Sequence, residues 1–490
     1  MARKYFPSLA CRKYIFATEE ARNTFRRITG LNQPGIVLSE LRNILSEDVN
    51  VNQLELSTRS KYNPEMLLEP CRKFDQGGSM PGVRRSVLRS AIQKVRQILR
   101  RKKRVTPLKL NSDLFLLFEG SKNAGLPTLR KKRDVEEESL ELARQIISGV
   151  ATPPPAALFH RGKNDDVARP VMAYPYSMHL IEAMYFYPLQ DYLVNSSNPY
   201  VAGLPSCTIG AKVNELAYDA YILAGDYSGY DGSLSGLLIN SAFGILKSLV
   251  KMDEGEKSCW DLIVRYFITT PLVAPDGMLY TGKNHGVPSG SMFTQMIDTV
   301  CNMIIIEYAA RRTGLEMTKY YVLGDDSLVG LTRKPDLHSW SKACSELGIT
   351  LNVTKSRVYC TKSGISDVHF LGHHYGHGLP ERPLAESLSR LLTPETLDRR
   401  MFSKDRATRG AYYIERIRAY EEDNSGIECS AVLRKLVKRV EKWASHLDYT
   451  VLGVRTLDAD RWFFTSAERV ERDRWDPSRR ELRESGVHSG

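Results

Sequence analysis

Apolar residues along this chain recur with two periods, and polar punctuation marks where each element ends. Leu88, Ile92, Val95 and Leu99 fall at helical spacing within Arg84–Lys109, which predicts an amphipathic helix. Another helix is expected from about Val135 to Ile147, stopping at Gly149, with Pro153-Pro154-Pro155 as a stiff connector behind it. Tyr218–Ala224 reads as an apolar strand, and Leu234 to about Lys251 as a helix with a largely apolar face. Gly286–Ser291 is a Gly-rich loop that opens a long helix, roughly Met292–Arg312. On that helix Met292, Met296, Val300, Met303 and Ile304 are apolar, whereas Thr294, Asp298 and Asn302 recur every fourth residue as one polar stripe. Buried polar groups need partners, so either neighbouring protein groups or a bound substrate must satisfy the stripe.

Downstream, apolar and aromatic residues lie on both sides of Gly324-Asp325-Asp326-Ser327, the pattern of two short strands joined by a tight turn. Ser341–Leu347 reads as a helix closing at Gly348, Ile349–Val353 as an alternating strand, and Val368–Tyr375 as a short strand or hairpin. From about Leu388 the pattern turns helical and basic, with a mixed-charge tail (Ser466–Gly490) expected to be partly disordered.

Composition narrows the class. Of 490 residues, 42% are hydrophobic and 26% charged, the balance of a globular chain with several domains or lobes. Lys and Arg exceed Asp and Glu by 69 to 57, a formal charge of +12 that favours a polyanionic partner, nucleic acid being the commonest. Arg84–Lys109 holds eleven Lys and Arg and no acid. Its basic face suits an RNA or DNA backbone; a plain solvated face, or a nuclear address at Arg-Arg-Lys-Lys-Arg, fits the same residues. Eight cysteines without a CxxC pair exclude a zinc ribbon or disulfide framework and suggest a reducing compartment. His369, His373, His374 and His377 lie on a strand-like run that would point them to opposite faces, with no Cys or acid to complete a zinc set. The longest apolar run, near Val300–Ala310, contains Asn302 and Glu307 and falls far short of a membrane span.

The candidate chemistry begins with acids. Gly225-Asp226-Tyr227-Ser228-Gly229-Tyr230-Asp231-Gly232-Ser233 places Asp226 at the end of a strand, with Asp231 five residues on. Asp325 and Asp326 would sit at a hairpin tip, where two adjacent carboxylates repel unless a cation neutralises them. Composition alone would yield a Gly-Asp-Asp triplet in roughly one chain in ten of this length, so the triplet gains weight only from its surroundings. Paired carboxylates from two strands suit a two-metal phosphoryl-transfer centre, with ions about 4 Å apart. Oxygen-only ligands suit Mg²⁺. Upstream, Arg161, Lys163 and Arg169 have the spacing of an extended basic ribbon that could cradle phosphates.

Taken in order, these segments resemble the motifs of the viral RNA-dependent RNA polymerases. Gly225–Ser233 resembles motif A, Gly286–Gly290 with Thr294 motif B, and Gly324-Asp325-Asp326 motif C. Gly348–Lys355 is similar to motif D, Phe370-Leu371-Gly372 to motif E, Arg161–Arg169 to motif F and Gly125-Leu126-Pro127 to motif G. The seven span about residues 121–375. The wording Thr294-Gln295-Met296-Ile297-Asp298 and Leu323-Gly324-Asp325-Asp326-Ser327-Leu328 is most like the partitivirus group, which has segmented double-stranded RNA genomes; motif A is also picornavirus-like.

The resemblance implies an α/β (α+β) right hand of fingers, palm and thumb, closed by fingertips. Residues 1–110 would form an N-terminal extension and fingertips, and 111–217 the fingers with motifs G and F. Residues 218–375 would form the palm, with a fingers insertion near 252–285, and 376–490 a helical thumb and charged tail. It implies Asp226 and Asp325 as main metal ligands, Asp326 assisting, two Mg²⁺ ions (Mn²⁺ substituting), and Lys355 as general acid for pyrophosphate. Arg161, Lys163 and Arg169 would hold the triphosphate. Asp231, Ser289, Gly290, Thr294, Asp298 and Asn302 would select the NTP, with Asp231, Ser289 and Thr294 on the ribose 2′-hydroxyl. Gly125 and Pro127 would lie by the template opening. The implied partners are an RNA template and product duplex, NTPs and a viral capsid protein, without a membrane, in the virion interior and host cytoplasm.

One departure stands out. Many relatives place Asn four residues after the motif B Thr, where this chain has Asp298 with Asn302 one turn further. If Asp231 and Asp298 face each other, repulsion should raise one pKa unless water or a hydroxyl intervenes. Two rival readings remain at this point: a reverse transcriptase, which usually has an aromatic residue in a Tyr-x-Asp-Asp turn and a bulky gate at Asp231, and an inactive palm-fold RNA-binding protein.

Overall fold

The computed structural model describes residues 2–29, 36–56, 63–162, 168–194, 198–361, 368–376, 378–394 and 398–444. Lys163, His377 and the expected tail at Ser466–Gly490 lie outside the described residues.

Two sheets position everything that follows. The first has five strands: β1 (Ala10–Lys13), β2 (Ala156–Gly162), β3 (Ala168–Ala173), and, across β4 of the other sheet (Tyr221–Gly225), β5 (Leu272–Val273) and β6 (Met278–Thr281), in the order β1-β6-β5-β2-β3. The second joins β7 (Met317–Leu323), β8 (Asp326–Leu331) and β9 (Arg357–Cys360) to β4, in the order β7-β8-β4-β9. All three of its pairings are antiparallel. Ile222, Leu223, Leu328 and Val329 are buried, so β4 and β8 have the apolar pattern of central strands.

Six helices matter here: α1 (Arg85–Leu99), α2 (Tyr176–Val194), α3 (Ser206–Glu215), α4 (Gly236–Lys247), α5 (Thr294–Thr313) and α6 (Leu337–Glu346). Helix α5 is buried at every position from Met296 to Ala310, as a helix at the centre of a fold must be. It packs against α1, α4, α6 and β7. Helix α1 buries Leu88, Ala91, Val95 and Leu99 against this core, so its expected amphipathic pattern is realised. A separate apolar core joins Leu41 and Leu45 to Leu388, Ile414, Leu433 and Leu436 from helices Leu384–Leu392, Arg406–Glu422 and Ile427–Ala444.

Element boundaries differ from expectation in informative ways. Tyr218 belongs to a short 3₁₀ turn and is 91% exposed, and the strand starts at Tyr221. The following helix covers only Gly236–Lys247, beginning where the Ser235 hydroxyl accepts the Leu238 N–H at 3.2 Å. The long helix starts at Thr294 rather than Met292. The expected strand at Ile349–Val353 does not form; the strand lies later, at Arg357–Cys360. Asn352 explains the shift. Its side-chain oxygen accepts from the Thr354 hydroxyl (2.8 Å) and the Lys355 N–H (3.2 Å), which turns the chain instead of extending it.

Candidate active site

The acids meet because of strand register. Gly225 pairs with Ser327 and Leu323 with Asp326. Asp226 follows Gly225 off the end of β4, beside the Asp325-Asp326 turn that joins β7 to β8. Asp226, Asp326 and Lys355 line one small cavity of ≈ 130 Å³. Although Asp326 is open to solvent at its surface, its carboxyl is pushed up to about 6, first by desolvation and then by repulsion from Asp325 and Asp226.

Backbone hydrogen bonds fix both halves. Asp226 N–H donates to Ser356 Oγ (3.1 Å) and Asp226 O accepts from Asn352 N–H (2.7 Å). The same turn therefore carries Lys355 to the acids. On the other side, Asn302 Nδ2 donates to the carbonyls of Gly324 (3.0 Å) and Asp325 (2.9 Å), and Gly324 N–H donates to Thr299 Oγ1 (2.8 Å). Gly324 has φ +60, and a Cβ there would come 2.6 Å from Gln295 Nε2. Both the left-handed backbone and the close approach of α5 thus favour glycine at this turn.

Asp231, exposed, and Asp298, buried, flank the pair. Burial first, then repulsion from Asp231 and Asp325, raises the Asp298 pKa well above the usual carboxylate range. The repulsion from Asp231 is in the direction expected of two neighbouring carboxylates, but burial is the larger cause. Asp298 Oδ1 and Asn302 Oδ1 are buried without a hydrogen-bond partner among the described residues. The polar stripe is therefore only partly satisfied by protein, a pattern that marks functional positions.

The loop ahead of α5 is tied down more firmly than its sequence suggests. Thr294 Oγ1 lies 2.6 Å from the Pro288 carbonyl and 2.8 Å from that of Ser291. Ser289 Oγ accepts the Met172 N–H at 3.0 Å and donates to the Pro170 carbonyl at 3.4 Å. Ser289 thereby stitches the loop to β3, the strand that carries Arg169. Arg161 faces Arg169 across the β2–β3 ladder; their side chains, like Lys163, lie outside the described residues. Gly290 packs so closely on β3 that a Cβ would overlap the Met172 carbonyl oxygen at 1.8 Å. Gly125 and Pro127 sit on a different loop, which closes on the start of α2 through Tyr176 N–H to Ala124 O (2.8 Å).

Three positioning residues carried no motif signal. Lys73 Nζ donates to the Ser228 carbonyl (2.7 Å) and reaches Ser233 Oγ (3.3 Å), bracing the turn between Asp226 and Asp231. Thr299 and Ser356 hold the two acid-bearing turns. A fourth, Glu182, did leave a trace, as one acid within the apolar run Leu180–Met184. It accepts from the Ser291 hydroxyl (2.7 Å) and the Met292 N–H (2.8 Å), and burial pushes its carboxyl up to about 8.

The residues present suit a divalent cation. The donors are all carboxylate oxygens, and the Asp326 carboxyl is raised first by desolvation and then by repulsion from Asp325 and Asp226. Among the described residues no three His, Cys, Asp or Glu side chains are grouped so as to hold a metal ion by themselves. Of the imidazoles, His369 lines the same cavity as Asp226 and Asp326, with its ring edge to face against that of His374, whereas His373 pairs with Asp423 at 3.1 Å.

This arrangement of a four-stranded sheet with acids at one edge, wrapped by helices, is the right-hand polymerase fold. The crystal structure of the RNA-dependent RNA polymerase of a human picorbirnavirus matches with a TM-score of 0.64 over 96% of this chain and 98% of that one, at 15% identity. An insertion-loop deletion mutant of that polymerase gives 0.65 over 89% and 91%. Residues 165–393 match the family model for viral RNA-dependent RNA polymerase. The RNA-directed RNA polymerase of Cryptosporidium parvum virus 1 (strain KSU-1) is 30% identical over 218 residues, 41% of this chain and 40% of that protein. The RNA-directed RNA polymerase of Atkinsonella hypoxylon virus (isolate 2H) is 27% identical over 142 residues, 27% of this chain and 21% of that protein. The matched stretches thus span well under half the length of these curated relatives. Both come from double-stranded RNA viruses, the second a partitivirus.

Proposed function

We propose that this chain is an RNA-directed RNA polymerase that copies and transcribes a viral RNA genome, joining NTPs to an RNA 3′-hydroxyl. The observation that carries the reading is the convergence of Asp226 with Asp325 and Asp326 through the β4–β8 and β7–β8 registers. Asp226 and Asp325 would hold two Mg²⁺ ions, or Mn²⁺, with Asp326 assisting. When bound, those ions would supply charge neutralisation at the attacking 3′-oxygen and the departing pyrophosphate.

The remaining roles belong to the protein. Lys355, beside Asp226 and Asp326 in one cavity, delivers a proton to the leaving pyrophosphate. Arg161 and Arg169 of the β2–β3 ribbon, together with Lys163, grip the triphosphate. Ser289 and Gly290 hold that ribbon against the α5 loop, and Thr294 keeps the loop closed. Asp231 accepts a hydrogen bond from the ribose 2′-hydroxyl, and Asp298, its carboxyl raised by burial and by repulsion from Asp231, stands beside it in the ribose check. Asn302 fixes the acid turn, and Gly125 and Pro127 shape the template opening. The fingers (about 111–217), palm (about 218–375) and thumb (from about 376) divide on this plan. Its substrates are an RNA template and NTPs, and a viral capsid and host cytoplasm are its setting. No helix among the described residues is long and apolar enough to cross a membrane.

Purified protein with a single-stranded RNA template, Mg²⁺ or Mn²⁺, and labelled NTPs against dNTPs tests the reading. Incorporation of NTPs, lost in Asp325→Ala, is expected. A preference for dNTPs would point to reverse transcription, and no incorporation under any of these conditions would indicate an inactive palm.

A further inference from the structure

Asp231 stands exposed on a turn between Gly229 and Gly232, where the backbone has the fewest constraints of its own. A segment far upstream, Lys73–Gly78, lies against both this turn and the loop ahead of α5. It opens with one helical turn, Lys73–Gln76, and buries Phe74 in the main core. Asp75 fixes its outer side by accepting the N–H groups of Ser8 (2.9 Å) and Leu9 (3.0 Å). Toward the turn, Lys73 Nζ reaches three oxygens: the carbonyls of Ser228 (2.7 Å) and Gly229 (3.4 Å) and Ser233 Oγ (3.3 Å). Three acceptors match the three hydrogens of an ammonium group.

The same residue also holds the loop. Its carbonyl lies 2.6 Å from His285 Nε2; a carbonyl can only accept, so that nitrogen carries the proton. Buried Lys283 fixes the other side of His285, donating to the carbonyls of His285 (3.0 Å), Gly286 (2.8 Å) and Phe267 (3.3 Å). The packing leaves no slack. Gly286 has φ +74, and a Cβ there would come 2.6 Å from Phe74 Cδ1, while one on Gly78 would come 2.5 Å from the His285 ring. The loop in turn grips the Asp231 turn: Val287 N–H donates to the Asp231 carbonyl (2.9 Å) and Gly286 N–H to that of Leu234 (2.8 Å). A closed circuit of hydrogen bonds therefore runs from Lys73 to the Asp231 turn, on to Gly286-Val287, and back through His285.

We propose that Lys73 and His285 are positioning residues for nucleotide selection: together they fix Asp231 against the loop and so set how strictly the ribose is checked. A carboxylate tells a 2′-hydroxyl from hydrogen only when it is held in place, within about 0.5 Å of its working position. Asp231 gains that precision from the circuit, because its own turn is exposed and glycine-flanked. Both positioning residues act through backbone and hydroxyl oxygens of the protein. What Asp231 recognises rests on the polymerase reading; the circuit itself does not.

The test compares the full chain with Lys73→Met, which keeps the apolar stem and removes the donors, and with His285→Leu. In each, kcat/KM for NTP is expected to fall about tenfold while that for dNTP stays unchanged. The double variant should lose no more than the worse single one, because either change opens the same circuit. Hydrogen exchange without nucleotide should quicken at Gly286-Val287 in Lys73→Met, although the Lys73 side chain donates only to the turn. Leu436→Ala, in the separate core, should lower the melting temperature and leave the NTP-to-dNTP ratio as it was. If Lys73→Met does not melt cooperatively, Lys73→Gln takes its place in both measurements. Equal losses for NTP and dNTP, unchanged exchange at Gly286-Val287, or a shifted ratio in Leu436→Ala would overturn the proposal. No incorporation by the unaltered protein would count against the polymerase reading, and exchange would still decide whether the circuit holds the loop.

Discussion

Strand β7 serves two regions of opposite character. At its C-terminal end the turn presents Asp325 and Asp326 to Asp226, three carboxylates that call for cations. Its earlier half, Met317–Tyr321, lines a cavity where Lys94, Lys212, Arg311 and Lys319 outnumber Glu215 and Glu307. The front is held by short hydrogen bonds to backbone groups, from Asn302, Thr299 and Ser356. The rear relies on exposed charges borne by a rigid helix. The difference teaches that position matters at the front and number at the rear. One misplaced group at the front disables a geometry, whereas charges at the rear act nearly independently and are screened by salt.

The sharpest break in this comparison is Asp325→Ala, expected to lower NTP incorporation by about 10³-fold or more with little change in melting temperature. A comparable loss from any single α1 substitution would erase the distinction. Next comes Asn302→Ala. It removes both donors to the Gly324 and Asp325 carbonyls, about 1–3 kcal/mol of unmet hydrogen bonding. Incorporation should fall roughly 10- to 100-fold while RNA affinity stays unchanged, read by steady-state kinetics beside anisotropy.

Asp298→Asn should alter the choice between NTP and dNTP more than it alters total rate, since Asn supplies a neutral side chain without a transferable proton. Equal selectivity at normal activity would remove Asp298 from the ribose check. The smallest effect concerns Glu182. Its folded pKa, near 8, lies above that of an exposed carboxylate. The folded state therefore binds the proton more tightly, and stability falls as pH rises from about 5 to 8. Glu182→Gln should flatten that slope in melts across the window; an unchanged slope would mean that another group sets it.

Much of the front was legible because its chemistry needs fixed residue types at fixed spacing. Acids at a strand end and a hairpin tip, a Gly-rich loop and a polar stripe on an apolar helix are local patterns, and each appears in the chain without a neighbour's help. The basic helix was legible for the same reason. Asn352 shows the limit of such patterns: alternation at Ile349–Val353 favours a strand, but the side chain of Asn352 and its bond to Asp226 make a turn. Long-range hydrogen bonding outweighed local propensity there.

The sequence by itself therefore determined the inventory: which acids, which loop, which helix carries the stripe, and which segment is purely basic. Only the tertiary structure decided what meets what. The β4–β8 register set Asp226 beside Asp326, burial raised the Asp298 carboxyl well above the usual carboxylate range, and the packing of α1 on α5 opened a cavity behind β7. The reason is physical. Residue type and local periodicity are encoded over a few neighbours, whereas register, desolvation and cavities arise between segments tens to hundreds of residues apart.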